Sequence, residues 1–196
     1  MKKKFIALIL CTAVLLCGCT ATKKITDTMK QAAQQAADST ATQTPEATAT
    51  PGPVETSVAL EKKGTVGNWK FCVKKATTKK TIKASEYMGF KPGKGNIFVV
   101  VTMTIENKGK KEDTALPSVG LEDQMIQSLL YYDGETEYKP TQLLSYKKDL
   151  LTKKIKPLSK KSGVVVYEVP KKVAKDMKKL TLKIGTSKES LIYTLK

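Results

Sequence analysis

The sequence contains no histidine and no arginine, and one tryptophan, among 196 residues. Without histidine the chain lacks the usual general base and the commonest metal ligand. Without arginine it lacks the flat bidentate fork that reads phosphate or guanine, because every basic residue is lysine, a hydrated point charge. Cysteine is equally sparse: Cys11, Cys17, Cys19 and Cys72 are the only four. Just one of them, Cys72, lies in the part that reads as folded, so no disulfide can form within it. Long apolar runs are also missing. The longest, residues 5–16, is apolar except for Thr12, whereas a spanning helix needs about 17–25 residues.

That short run follows Lys2, Lys3 and Lys4, and the pair has the form of a secretory n-region and h-region. It ends in Leu16-Cys17-Gly18-Cys19. This tetrapeptide resembles the bacterial lipobox, Leu-x-Gly/Ala-Cys, through Leu16, Gly18 and Cys19; Cys17 stands where a small residue is usual. The resemblance implies cleavage before Cys19 and diacylation of its sulfur. Two acyl chains suffice for stable anchoring to a membrane where one does not. The competing reading is an ordinary cleaved signal with an incidental Cys19.

Residues 20–57 are rich in Thr, Ala and Gln, with Pro45, Pro51 and Pro53. Few large apolar side chains are present, so this stretch is expected to be a disordered tether. As a flexible chain it would span roughly 35 Å, from about 5–6 Å times the square root of its length. A marginal helix over 25–37 is compatible with the spacing of Ile25, Met29 and Ala36.

From residue 58 the hydrophobic period becomes two. Trp69, Phe71 and Val73 alternate with Lys70, Cys72 and Lys74, the pattern of a half-buried strand. Residues 97–105 place Ile97, Val99, Val101, Met103 and Ile105 on one face, and Phe98 and Val100 make the first half apolar on both, which predicts a central strand. Residues 129–138 read as a hairpin turning at Asp133-Gly134. Residues 162–169, 180–184 and 191–195 read as further strands, and residues 170–179 as a short helix with Pro170 in its first turn. Many short strands with turns between them predict an all-β chain, an immunoglobulin-like antiparallel β-sandwich over 58–196.

Three motifs then carry a resemblance: Glu106-Asn107-Lys108-Gly109 after the central strand; Leu121-Glu122-Asp123 followed by Tyr132-Asp133-Gly134 and Tyr138; and Pro157-Leu158 followed by residues 163–170. Over residues 64–184 the chain resembles a family of bacterial surface lipoprotein domains of unknown function. That family is similar in fold to a secreted mycobacterial immunoprotective antigen. The resemblance implies a fold and a surface location, and supplies no catalytic or ligand residues.

Catalysis and cofactors are not expected. Cys72 has neither base nor orienting partner in the sequence, and Ser145-Tyr146-Lys147-Lys148 is only a poor approach to Ser-x-x-Lys. Asp133, Glu135 and Glu137 alternate, but a calcium site needs six to eight oxygens, and the trio reads as a lysine-balanced hairpin. Tyr131, Tyr132, Tyr138 and Tyr146 gather around that hairpin and form a candidate binding surface, since tyrosine is enriched in interfaces; the plainer reading is good strand-forming sequence. The net charge is +17, and residues 58–196 hold 29 lysines against 14 acids, +15. Such a domain is attracted to anionic surfaces. The domain is therefore expected to act as a binding module, its partners the membrane through the lipid and either an unidentified surface protein or, through its lysines, anionic envelope polymers or lipid headgroups; the alternative of another class is a cell-surface enzyme. No nucleic-acid partner is expected, because no aromatic-basic motif is present.

Overall fold

The central strand is the place to begin. Residues 97–105 need burial on two sides, and a twelve-residue strand across the middle of a sheet provides it. In chain order the strands are β1 (Val54–Ser57), β2 (Lys63–Val66), β3 (Trp69–Lys79), β4 (Ile82–Lys83), β5 (Gly89–Phe90) and β6 (Asn96–Asn107). There follow β7 (Asp113–Thr114), β8 (Gln127–Tyr132), β9 (Thr136–Tyr138), β10 (Lys154–Ile155) and β11 (Lys160–Pro170). A single helical turn α1 (Lys171–Ala174) and a 3-10 turn (Met177–Lys179) lead to β12 (Leu180–Gly185) and β13 (Glu189–Thr194). This is a computed structural model, and it describes residues 52–117 and 124–196. The chain separates into units Met1–Ala47 and Thr48–Lys196, and every described residue belongs to the second. The lipobox residues Leu16, Gly18 and Cys19, and the motif Leu121-Glu122-Asp123, lie outside the described residues.

Two sheets face each other. One has the order β11-β6-β3-β2, the other β1-β13-β12-β8-β9. Strand β6 is interior, antiparallel to β11 and β3, with Val101 opposite Val165 on one side and Ala76 on the other. Its inward face, Val99, Val101, Met103 and Ile105, joins Phe71, Val165, Leu130, Leu182, Ile184, Leu191 and Tyr193 in one buried core. The fold is an all-β sandwich, as the alternation predicts. The outward face of β6 is also covered: Phe98 and Val100 pack with Ile82, Leu143, Val164 and Val166 in a second, smaller cluster. This is why the first half of the strand is apolar on both sides.

No disulfide joins the sheets, and Cys72 is free. A buried polar contact lies in the core instead. Tyr167 of β11 donates its hydroxyl hydrogen to the Ser128 carbonyl of β8 at 3.2 Å and lies 2.6 Å from Ser128 Oγ. Burial pushes the Tyr167 phenol well above its ordinary pKa, so it stays a neutral donor.

Three elements differ from the sequence expectation. Val54–Ser57, read as the end of the tether, forms β1, pairing parallel with β13 from Val54↔Glu189 to Ser57↔Ile192. All four of its residues are exposed, so backbone pairing rather than an apolar face holds it, and no hydrophobic period announces it. The helix expected over 170–179 shrinks to α1 plus the 3-10 turn, because Val173 alone is buried. One amphipathic contact cannot sustain a longer helix. The hairpin connection has three residues, since Tyr132 pairs with Thr136, and Asp133 and Gly134 both adopt positive φ, 56° and 77°.

The free edge of β11 is covered by residues 140–150. Thr141 N–H donates to the Val166 carbonyl, and Val164 N–H to the Lys148 carbonyl. Gly163 makes that approach possible, for a Cβ there would overlap the Lys148 carbonyl oxygen. Asp149, which is buried, holds the segment in shape by accepting from Leu143 N–H at 2.7 Å and Leu151 N–H at 2.9 Å. Burial raises the Asp149 pKa, and the two backbone donors oppose the rise.

Candidate functional surface

The tyrosines predicted to cluster do not form one surface. Successive side chains of a strand point to opposite faces. Tyr132 accordingly follows Leu130 inward, while Tyr131 points out. Tyr138, opposite Leu130, also packs on the core. Tyr146 lies on the other sheet, against the second cluster, its ring edge-on to Phe90 at 6.4 Å. All four are half-buried. Tyr131 stands alone on the outer face, donating to Glu137 Oε2 at 2.9 Å. Partial burial, then that hydrogen bond, push its pKa up to about 12. An acceptor carboxylate stabilises the neutral phenol, so this hydroxyl works as a hydrogen-bond donor and not as an acid.

The acidic trio disperses in the same way. Asp133 pairs with Lys179 at 2.8 Å, Glu137 accepts from Tyr131, and Glu135 is exposed in the turn. The Asp133 carboxylate raises the Lys179 pKa, chiefly through their hydrogen bond. The Lys179 ammonium also sits 5.9 Å from the Tyr132 ring centroid, within cation–π reach. Among the described residues no three His, Cys, Asp or Glu side chains come together as a metal site. Ser145 has φ of 63° in an exposed turn, and no hydrogen bond joins it to Lys147 or Lys148.

Cys72 is more buried than its polar-face position suggests. It faces outward with Lys70, yet it is 6% exposed. The turn before β2 folds over it: Glu61 N–H donates to the Val73 carbonyl, and Cys72 Sγ donates to the Glu61 carbonyl at 3.3 Å. A covered thiol without a cationic partner is inert. In the chain beginning at residue 19 and carrying Cys19→Ser, Cys72 should react with a chromogenic disulfide roughly a hundredfold more slowly than after denaturation. Equal rates in buffer and in guanidinium would show that the Glu61 turn does not cover it.

A depression lies beside the start of β8. Leu116, Met125, Ile126, Leu129, Pro140 and Leu151 line a groove of about 320 Å3. Ser128 also lines it, and its hydroxyl is already engaged by Tyr167. The lining is more apolar than polar, with Gln127, Lys139 and Gln142 its other polar residues. It suits an apolar side chain or a small apolar group better than an ion. No local signal announces it, because its residues come from four separate segments.

The fold is similar to those of solved structures. An uncharacterized β-sandwich protein from Clostridium difficile 630 superposes with a TM-score of 0.56 at 14% identity, covering 75% of this chain and 98% of that one. The YjhA protein from Bacillus subtilis superposes with a TM-score of 0.51 at 15% identity, covering 70% and 99%. At such identities these likenesses establish the fold alone. No curated protein matches the chain at a significant level. Residues 58–190 match the family described as domain of unknown function DUF4352, and the chain belongs to that family.

Proposed function

We propose that this chain is an extracytoplasmic lipoprotein, anchored through Cys19, that displays its β-sandwich as a binding module at a membrane surface. The observation that carries the reading is the sequence Leu16-Cys17-Gly18-Cys19 closing a lysine-led apolar run too short to span a bilayer. The folded unit is consistent with display. Among the described residues no helix is long and apolar enough to cross a membrane, and strand β1 gives the chain entering from the N-terminal side a fixed place beside β13. The charge of residues 58–196 favours anionic surroundings. The apolar groove beside β8 is the place where a partner's side chain would sit.

Cys19→Ala is expected to abolish incorporation of a labelled fatty acid and to leave a precursor that is uncleaved or cleaved elsewhere. Metabolic labelling with gel mobility reads both effects. Equal label in the variant would remove the anchor, and with it the display reading.

A further inference from the structure

The hairpin of β4 and β5 has an apolar base, an exposed tip that carries Tyr87 and Met88, and exposed lysines before and after it in the chain. At the base, Ile82 pairs with Phe90, and both pack with Phe98, Val100 and Leu143 on the outer face of the β6–β11 ladder. The tip is a shaped turn. The amides of Ala84 and Ser85 donate to the Met88 carbonyl at 2.8 and 3.1 Å. Ser85 Oγ in turn accepts from the amides of Tyr87 and Met88 at 3.3 and 3.1 Å. This turn holds Tyr87 93% exposed and Met88 41% exposed. On the neighbouring segment, which meets the hairpin at the Phe90–Tyr146 ring contact, Leu144 is 69% exposed.

Lys79, Lys80, Lys83, Lys91 and Lys94 flank the hairpin in sequence, all exposed, with Glu86 the one acid in residues 79–94 and Glu168 accepting from Gly93 N–H beside the last of them. None of these lysines forms an ion pair among the described residues. The combination selects among anionic partners. A hydrated anionic polymer would satisfy the lysines but leave the tyrosine, methionine and leucine in water. The surface of an anionic bilayer satisfies both: its phosphates complement the lysines, a tyrosine ring rests at headgroup depth, and apolar side chains enter the acyl boundary.

We propose that the β4–β5 hairpin is a membrane-contact element that seats on anionic lipid headgroups, with Tyr87 and Met88 at the interface and the flanking lysines on the phosphates. The proposal deepens the surface-display reading, on which it rests for the compartment. Its contact chemistry is independent of the lipid on Cys19.

The test uses the chain from residue 19 carrying Cys19→Ser, co-sedimented with phosphatidylglycerol/phosphatidylcholine vesicles and with phosphatidylcholine alone. Binding is expected to the anionic vesicles only, weakening as salt rises. A lysine near such a surface contributes about fivefold in affinity. Lys83→Gln with Lys91→Gln should therefore cost on the order of tenfold or more, and Tyr87→Ser with Met88→Ser about tenfold. Leu158→Ser, at a site 76% exposed in another loop, should change nothing. Thermal melts check that each variant folds. In Tyr87→Trp the added fluorophore should shift to the blue with anionic vesicles, over the constant emission of buried Trp69. The proposal falls if the tip variants bind like the parent, if Leu158→Ser weakens binding as much, if soluble anionic polymer competes without regard to the tip residues, or if no blue shift occurs. Fatty-acid labelling separates the two readings. Vesicle binding through the tip without label on Cys19 would remove the anchor and leave the hairpin. Label on Cys19 with indifferent tip variants would do the reverse.

Discussion

Val101→Asp should leave the domain unfolded, whereas Lys110→Ala should melt within about 2 °C of the parent. Val101 has no exposed surface and lies at the centre of the inner strand, between Ala76 and Val165 and against the facing sheet. No lysine side chain is among the core residues around it. An unpaired carboxylate there must either stay charged in an apolar medium or bind a proton, and each course costs several kcal/mol. Domains of this size have about 5–15 kcal/mol in total, so the substitution consumes most or all of it. Val101→Ala, which removes only volume, should cost about 2 kcal/mol and leave a cooperative transition. Lys110 is exposed beyond the end of β6, where substitutions rarely exceed half a kcal/mol. Thermal melts by circular dichroism compare the three variants. A melting temperature for Val101→Asp close to that of Val101→Ala would mean that the centre of the sandwich has been misassigned.

The legibility of this strand shows which information is local. Residues 97–105 declare themselves because each face of β6 has its own apolar cluster, and both clusters are written into one run of sequence. Strand β11 is apolar on both faces for the same reason, with Val165 and Tyr167 in the core and Val164 and Val166 in the outer cluster, whereas β3, β12 and β13 are legible because alternate residues, such as Phe71 and Val73, Leu180, Leu182 and Ile184, and Leu191 and Tyr193, enter the core. Strand β1 buries none, so only its backbone pairing with β13 defines it. The two-residue strands β4, β5, β7 and β10 are shorter than any period can register. The candidate surfaces were hidden for a different reason. Whether a tyrosine is exposed depends on which face of which sheet it occupies, and Tyr131 and Tyr132, adjacent in sequence, point to opposite sides. Tyr146 is near them in sequence, but it belongs to the segment over the edge of β11 and packs against the outer cluster of the other sheet. Tyr87, the most exposed of those discussed, sits between Glu86 and Met88 with no periodic context. Its significance comes from the hairpin that Ile82 and Phe90 dock. Asn107 shows in the sequence only as part of the motif after the central strand, and its buried role emerges from partners four and forty-eight residues away.

Asn107→Asp should be among the most damaging polar substitutions in the domain, and its damage should depend on pH. Asn107 ends β6 and is 1% exposed. Its amide nitrogen donates to the Lys111 carbonyl at 2.8 Å and the Ile155 carbonyl at 2.9 Å, and its Oδ1 accepts from Gly109 N–H at 2.8 Å. One side chain thus ties the end of the central strand to the turn after it and to β10, which pairs with β7. Gly109 fits this knot because a Cβ there would lie 3.0 Å from Asn107 Oδ1. Asn107→Ala orphans two carbonyls and one N–H, at roughly 1–3 kcal/mol for each group that water cannot reach, or about 3–5 kcal/mol in all. In Asn107→Asp one oxygen would replace the donating nitrogen and face two carbonyl oxygens. The introduced carboxyl therefore favours its protonated form in the fold, and its folded pKa lies above the unfolded value of about 3.9. For an acid shifted in this direction the variant is least damaged below the unfolded pKa and loses stability as pH rises through the folded one. A protonated carboxyl restores one of the two donated hydrogen bonds, so the difference in melting temperature between parent and Asn107→Asp should be smallest near pH 3.5 and largest at pH 7. Thermal melts of both proteins across that range measure it, with the parent subtracting every other titration. A difference that stays constant with pH, or an Asn107→Asp variant as stable as the parent at pH 7, would show that the Asn107 amide does not bridge the Lys111 and Ile155 carbonyls.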